Sequence, residues 1–254
     1  MRKILIIAAI LVTISCASAD EISLNFVIHP QFDVNDFAET AEIIQQATID
    51  SCMSINLYAG EIFKPALADS LILKYMGELP GMLFSPNDFL YFHQEKFPSF
   101  GLLAANIKSD SVTTLKKFVI KVDTLRIGIF CIYTPDWAVK NQLADGVQVR
   151  ADVFAVAKEQ VNKLRAQGCD QIIMLTSLSK NIVGYLVKEI DIDTVINFDY
   201  VTTKNVMMGN KEQTGYYYIN SESGKFGRLK IKSTGNDITS DWLELSWKNE
   251  VSDR

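Results

Sequence analysis

Polar side chains follow two predicted strands at the point where each strand ends. Residues 171–175 form an apolar run of strand length, and Ser177 lies in the polar stretch behind it. Residues 194–198 form a second such run, and Asp199 comes directly after it. A segment of helical spacing, residues 181–190, separates the two runs. Because the sites of parallel sheets lie at the carboxyl ends of the strands, Ser177 and Asp199 are candidate binding or catalytic residues.

The residues around these strand ends indicate neither serine nor histidine chemistry. Ser177 and Ser179 have no histidine beside them and no Gly-x-Ser-x-Gly sequence around them. We therefore predict that they cap the following helix rather than act as nucleophiles. The chain contains two histidines, His29 and His93, far apart in sequence. We predict that both are packing or surface residues rather than metal ligands.

The elements that position the candidate residues form a parallel βαβ unit with a right-handed crossover. A helix over residues 154–164 precedes this unit, with its apolar side chains on one face, and ends at Gly168. Residues 118–122 and 125–132 predict a hairpin. Further strands are predicted at residues 22–28, 53–57, 81–84, 101–107, 215–219, 226–231 and 242–247, and further helices at 36–47, 65–76 and 85–95. No internal repeat or linker interrupts this order, so the sequence predicts one mixed α/β domain.

The composition is typical of a folded domain that does not bind nucleic acid. Apolar residues make up 48% of the 254 residues, which is ample for a hydrophobic core and excludes disorder. The net charge of −5 is unlike the basic surface that nucleic-acid binding requires.

The amino terminus has the features of an export signal. Arg2 and Lys3 precede an apolar core at residues 4–14, and Ala19 ends a small-residue cleavage site. We predict that residues 1–19 are a signal peptide and that the mature protein is periplasmic or in the cell envelope. The alternative is lipoprotein processing at Cys16, and we expect membrane association only if Cys16 is acylated.

Three further cysteines, Cys52, Cys131 and Cys169, would remain after cleavage. Their spacing does not resemble a zinc site, and their apolar neighbours predict buried thiols. An odd number leaves at least one of them unpaired, and the sequence does not decide a disulfide pairing.

Four stretches, in order along the chain, resemble one known family. Residues 97–107, 125–136, 153–178 and 219–231 are similar to the segments "FPxLxANV", "kIGviGltTpd", "aaxxxVxxLkxxGxDxIIxLSHLG" and "GkxlGxLxl" of the 5′-nucleotidase branch of calcineurin-like metallophosphoesterases. The resemblance implies a four-layer αββα sandwich with mixed sheets, formed by residues 20–254. The second, substrate-gripping domain of many nucleotidases is expected to be absent, because the chain ends too early to contain it.

The chemistry of that family requires two divalent metal ions about 3.5–4 Å apart, which activate water and stabilise the transition state. The resemblance implies where their ligands would lie. Phe32 and Val34 stand where the family has an aspartate and a histidine, and Asp199 and Val201 stand where it has two histidines. The apolar side chains at three of these four positions have no donor atom and cannot coordinate a metal.

The other ligand positions hold shorter or different polar residues. Glu61 replaces the aspartate of a Gly-Asp pair, and Ser177 replaces the histidine of "SHLG". Asn87 and Asp88 lie in the sequence that replaces Gly-Asn-His-Glu, so the expected asparagine ligand and the histidine acid are lost. The resemblance implies that these four residues and Asp199 line what remains of the catalytic cleft.

Two interpretations of the remaining acids stay open. Glu61, Asp88 and Asp199 would bind one hard cation such as Mg²⁺, Ca²⁺ or Mn²⁺ if they converge, since carboxylate oxygens suit these ions. Otherwise Asp88 completes a helix cap, and Glu61 and Asp199 are solvated loop acids.

The favoured hypothesis is an exported, catalytically inactive metallophosphoesterase-like domain that serves as a binding or scaffold module, without a cofactor. Its partner would be a protein or a small ligand that the sequence does not identify. The alternative is an active phosphoesterase with a remodelled site and one divalent metal ion. A third hypothesis is a small-molecule binding protein that uses the emptied cleft. These hypotheses differ in the site and not in the fold.

Overall fold

The computed structural model describes residues 11–13, 21–28, 54–59, 102–110, 113–122, 124–136, 146–198, 215–218, 225–234 and 237–246. Within these ranges the strands are β1 (Leu11–Thr13), β2 (Glu21–Ile28), β3 (Ser54–Ala59), β4 (Leu102–Leu103), β5 (Ile107–Ser109), β6 (Thr114–Leu115), β7 (Lys117–Val122), β8 (Leu125–Ile132), β9 (Val147–Val149), β10 (Gln171–Thr176), β11 (Thr194–Asn197), β12 (Gly215–Tyr218), β13 (Lys225–Thr234) and β14 (Asp237–Ser246). The helices are α1 (Val153–Ala166) and α2 (Lys180–Glu189). The helices predicted at residues 36–47, 65–76 and 85–95 and the strand at 81–84 lie outside the described residues.

Two mixed sheets form the framework. The larger has six strands in the order β1-β7-β8-β10-β11-β12, and the smaller has four in the order β14-β13-β2-β3. In the larger sheet β7 and β8 are antiparallel, which confirms the predicted hairpin, and the other neighbours are parallel. The short strands form two further pairs, β4 with β6 and β5 with β9. This architecture confirms the predicted mixed α/β class.

The βαβ unit predicted from the sequence is present as β10, α2 and β11. The two strands pair in parallel over four residues, from Ile173 opposite Thr194 to Thr176 opposite Asn197. Parallel strands buried on both faces favour continuous apolar runs such as those of β10 and β11. Every residue of β11 is buried, and so are five of the six residues of β10.

Helix α1 begins at an aspartate N-cap and is followed by the glycine that its sequence predicts at its end. The side chain of Asp152 accepts a hydrogen bond from the backbone N–H of Ala155 at 2.9 Å, which satisfies a donor that the helix itself leaves free. Gly168 follows the helix with φ of +73°, a left-handed conformation that glycine adopts without steric cost. The predicted end of the helix is therefore confirmed.

Within the described residues, a hydrophobic core lies between the two helices and one face of the six-stranded sheet. Its members are buried apolar residues of α1, α2, β8, β10 and β11, and they include Phe130, Ile132, Val156, Val161, Leu164, Ile172, Met174, Val183, Leu186, Val187 and Val195. Side chains alternate across a strand, so Ile129, Cys131, Ile173 and Leu175 point to the opposite face, where they are also buried. The sheet is thus covered on both sides, although the four-layer arrangement itself stays a prediction.

Residues 101–107 do not form the single strand that their apolar run predicts. The structure has β4 and β5 at the two ends of this run, with a turn at Ala105 and Asn106 between them. An amide side chain fixes this turn through tertiary contacts, described below, which override local propensity.

Strand β1 lies within the predicted signal peptide and at the edge of the larger sheet. Leu11, Val12 and Thr13 pair in parallel with Val119, Ile120 and Lys121 of β7. Among the described residues, the helices are too short and too polar to cross a membrane. Cleavage after Ala19 and acylation of Cys16 stay predictions.

Candidate functional site

The candidate site lies where β8, β10 and β11 end, at the edge of the sheet that the βαβ unit predicts. Tyr133 and Thr134 follow β8, Ser177 follows β10, and Phe198 follows β11. The rings of Tyr133 and Phe198 meet edge to face, with centroids 5.9 Å apart and an interplanar angle of 69°. This contact joins strand ends that are separated by β10.

Asn106 connects the turn between β4 and β5 to the end of β8. Its Nδ2 donates to the carbonyl oxygen of Tyr133 at 2.8 Å, and its Oδ1 accepts the N–H of Tyr133 at 3.0 Å. Both residues are buried. Because buried backbone groups need partners, the amide side chain replaces the strand neighbour that Tyr133 would otherwise require.

Ser177, the one candidate cleft residue within the described ranges, is tied to the neighbouring strand end. Its Oγ accepts a hydrogen bond from the backbone N–H of Thr134 at 3.1 Å. The residue is buried, with 9% of its surface exposed. The hydroxyl oxygen therefore accepts a hydrogen bond from a backbone N–H and holds the ends of β8 and β10 together. The structure shows no hydrogen bond from the Ser177 side chain to the start of α2, so the predicted capping role stays a prediction for this residue.

For Ser179 the structure corrects the prediction of a side-chain cap. It occupies the N-cap position of α2 in an extended conformation, but its side chain makes no capping hydrogen bond. Instead its carbonyl oxygen accepts the N–H of Val183 at 3.1 Å. The position of the cap is as predicted, and the hydroxyl is not what caps the helix.

Thr176 and Asn197 complete the polar contacts at this edge. The Oγ1 of Thr176 donates to the carbonyl of Ile132 at 2.8 Å and accepts the N–H of Leu178 at 3.1 Å. The Nδ2 of Asn197 donates to the carbonyl of Leu178 at 2.7 Å. The two side chains thus fix the loop between β10 and α2, which contains Ser177, from both neighbouring strands.

The polar side chains at the described strand ends consequently bond to backbone groups. Among the described residues, no three of His, Cys, Asp and Glu lie close enough together to hold a metal ion. Glu61, Asn87, Asp88 and Asp199, the other predicted cleft residues, lie outside the described residues, as do Cys16, His29 and His93 and the apolar positions Phe32, Val34 and Val201. For these residues the sequence predictions stand as predictions.

Shifted pKa values occur at buried groups elsewhere in the structure. Burial, together with the nearby charge of Arg150, lowers the pKa of Lys116 to about 8. Burial raises the pKa of Asp193, although its Oδ2 accepts hydrogen bonds from Ile172 N–H at 2.6 Å and Arg165 at 2.7 Å. Asp193 precedes β11, at the opposite edge of the sheet from the candidate site.

The two described cysteines behave as predicted. Cys131 and Cys169 are both free and buried. Burial raises the pKa of each thiol, which suppresses the reactive thiolate form. Cys52 lies outside the described residues.

Sequence reasoning did not assign the roles of Asn106 and Asn197. Each is a single amide residue within or at the end of an apolar run that predicts a buried strand. A buried amide side chain requires several hydrogen-bonding partners. An amide residue within an apolar run was therefore the available signal for a structural hydrogen-bonding role.

Comparisons with known proteins agree with the architecture. No family model and no curated protein matches the chain. Among solved structures, a 5′-nucleotidase precursor from Thermus thermophilus superimposes with a TM-score of 0.67 at 14% identity, covering 90% of this chain and 55% of that one. The sulfate thiohydrolase SoxB of Thermus thermophilus superimposes with a TM-score of 0.65 at 13% identity, covering 93% of this chain and 58% of that one. The NAD nucleotidase NadN of Haemophilus influenzae superimposes with a TM-score of 0.61 at 16% identity, covering 91% of this chain and 54% of that one.

These structures share a fold with the chain. The chain has the metallophosphoesterase-type fold of the 5′-nucleotidases, which confirms at the level of fold the resemblance seen in the sequence. It spans a little over half the length of these three solved structures. Identities of 13–16% leave the activity to be argued from the site.

Proposed function

We propose that the protein is an exported module that has kept the metallophosphoesterase fold, does not hydrolyse phosphoesters, and binds a partner protein or small ligand instead. One observation supports this most strongly. The sequence resemblance aligns Ser177 with a metal-binding histidine of that family, and in the structure its Oγ accepts the N–H of Thr134 at 3.1 Å.

This contact favours a structural role over a metal-binding role for Ser177. An imidazole nitrogen is a good ligand for the transition metals of such centres, whereas a neutral hydroxyl bonded to a backbone N–H is a poor one. A metal ion at Ser177 would have to compete with the Thr134 amide. Loss of that hydrogen bond would leave a partly buried N–H without an acceptor.

The residue types of the chain support the same conclusion. The whole chain has two histidines. A two-metal centre needs donor side chains at every ligand position, and Phe32, Val34 and Val201 provide none. Without those ligands the metal ions are not held. Their positive charge, which would keep several carboxylates close together, is then missing as well.

Hydrolysis of a chromogenic phosphomonoester, measured with Mn²⁺, Mg²⁺ or Zn²⁺, tests the proposal. We expect no turnover above a metal-only blank. Metal-stimulated turnover that is abolished by Glu61→Ala and by Asp199→Ala would overturn the proposal and favour the one-metal enzyme. Glu189→Ala, which removes an exposed acid at the end of α2, is the matched control and should leave any activity unchanged.

Ligand binding and export are tested separately. A thermal-shift screen with nucleosides and nucleotides measures binding to the cleft, because a ligand that binds only the folded state raises the melting temperature. The mass of the mature protein reports processing. A chain that begins at Asp20 supports signal-peptide cleavage, an acylated Cys16 supports the lipoprotein alternative, and an intact Met1 in the envelope-free fraction contradicts export.

A further inference from the structure

Three apolar side chains form a surface patch across the two helices, two of them exposed and one half-buried. The patch consists of Phe154 of α1 and Ile182 and Tyr185 of α2. Ile182 is 39% exposed and Tyr185 is 58% exposed, and they are the large hydrophobic residues exposed in the described part of the chain. The rings of Phe154 and Tyr185 lie 5.6 Å apart. The ring contact therefore connects α1 and α2 at this surface.

Lysines lie beside this patch or close to it in sequence. Lys158 follows Phe154 by four residues and Lys188 follows Tyr185 by three, so each lies one helical turn from a patch residue on the same side. Lys180 begins α2. Lys158 and Lys188 are exposed and Lys180 is half-buried. Among the described residues, no acid lies within salt-bridge distance of these three lysines.

The other cations in α1, and Arg150 shortly before it, are arranged differently. Lys163 and Arg150 both bind Glu159, at 2.6 and 2.8 Å, and Arg165 binds Asp193 at 2.7 Å. Those cations neutralise acids of the fold itself. The lysines around the patch leave their charge free on a chain whose net charge is −5.

We propose that the patch and its lysines form a docking surface for an anionic lipid membrane. Aromatic and aliphatic side chains enter the headgroup region, and lysines beside them attract anionic headgroups. Lysines without acid partners within the described ranges, beside exposed aromatic and aliphatic side chains, match an anionic lipid surface in both charge and polarity. Glu189 is the one acid in α2 and opposes this attraction only partly.

This proposal does not depend on whether the domain hydrolyses phosphoesters, and it departs from the sequence-based expectation that membrane association requires acylation of Cys16. If Cys16 is acylated, the anchor and the patch would act together, because stable membrane attachment requires two such signals.

The test is co-sedimentation of the full chain with vesicles, in a Cys16→Ser background that prevents acylation. Vesicles of phosphatidylcholine with phosphatidylglycerol should bind the protein, vesicles of phosphatidylcholine alone should not, and added salt should weaken binding. The double variant Lys158→Gln/Lys188→Gln should weaken binding by about tenfold. Ile182→Ser/Tyr185→Ser should weaken it by about tenfold as well, with less change in salt dependence.

Lys108→Gln is the matched control, because Lys108 is an exposed lysine on β5 and belongs to neither helix. It should change vesicle binding by less than about twofold. Equal binding to both vesicle types, or no effect of either double variant, would overturn the proposal. Binding to poly-glutamate with the same variant dependence, but not to vesicles, would also overturn it in favour of an acidic protein partner.

Discussion

Asn106 and Tyr133 are hydrogen-bonded in both directions, side chain to backbone, at 2.8 and 3.0 Å. The pair joins residues 27 positions apart in sequence and is buried. It fixes the turn between β4 and β5 against the end of β8, beside the candidate site. The edge of the sheet is thereby held in one conformation, as a binding surface requires.

Removal of this amide should destabilise the fold. We expect Asn106→Ala to lower the free energy of unfolding by about 2–4 kcal/mol, because the N–H and C=O of Tyr133 lose their buried partners. Urea unfolding measures the change. Asn106→Asp keeps an acceptor for the N–H but places a carboxylate oxygen against the carbonyl, so it should not restore stability. Native stability in Asn106→Ala would contradict the assigned role.

Gly128 of β8 allows the close approach of α1. A methyl group at this position would lie 2.7 Å from Leu164 Cδ2 and 3.1 Å from Cys169 Sγ. Gly128→Ala should therefore cost about 1–3 kcal/mol by overpacking. Leu164→Ala alone should cost about 2–5 kcal/mol by opening a cavity.

The two changes should compensate each other in a double-mutant cycle. In Gly128→Ala/Leu164→Ala the new methyl occupies space that the leucine has left. The decrease in unfolding free energy should therefore be smaller than the sum of the two single decreases by about 1 kcal/mol or more. Gly128→Ala combined with Leu186→Ala, a buried leucine of α2, is the matched control and should be closer to additive. Additivity in both pairs would show that Leu164 does not limit the space at Gly128.

Lys116 should make the stability depend on pH in the alkaline range. Its Nζ donates to the carbonyls of Ala104 and Ile107 and to Thr114 Oγ1, and burial lowers its pKa to about 8. In the unfolded chain a lysine has a pKa of about 10.4. Between these values the unfolded state binds more protons, so the contribution of Lys116 to stability rises as the pH increases.

The measurement is the difference in unfolding free energy between the native protein and Lys116→Met, from pH 7 to pH 10. This difference cancels the other titrating groups that both proteins share. Its slope should be positive above about pH 8 and smaller than the roughly 1.4 kcal/mol per pH unit of a complete one-proton change, because Lys116 is only half-buried. A slope of zero or below would contradict a lowered pKa.

The sequence predicted those parts of the fold whose signals are local. The apolar runs of β10 and β11, the periodicity of α1 and α2, and the glycine after α1 are read directly from neighbouring residues. The turn at Asn106 was missed because the partner that fixes it, Tyr133, is distant in sequence. The start of β14 was also missed, although Gly235 and Asn236 are a pair typical of two-residue hairpins.

The site was predicted less completely than the fold. Ser177 was placed correctly at the end of β10, but its hydrogen bond to Thr134 depends on how two strand ends meet in space. Strand assignments give the edge at which side chains gather and not the direction in which each one points. For that reason the sequence identified the position of Ser177, and only the structure showed which group its hydroxyl binds.

The metal content of the purified protein tests the central claim most directly. Elemental analysis after purification without chelators measures bound Mn, Fe and Zn per chain. The proposal that the metal centre has been lost predicts no stoichiometric transition metal, both in the native protein and in Asp199→Ala. One or two ions per chain in the native protein, and fewer in Asp199→Ala, would contradict it.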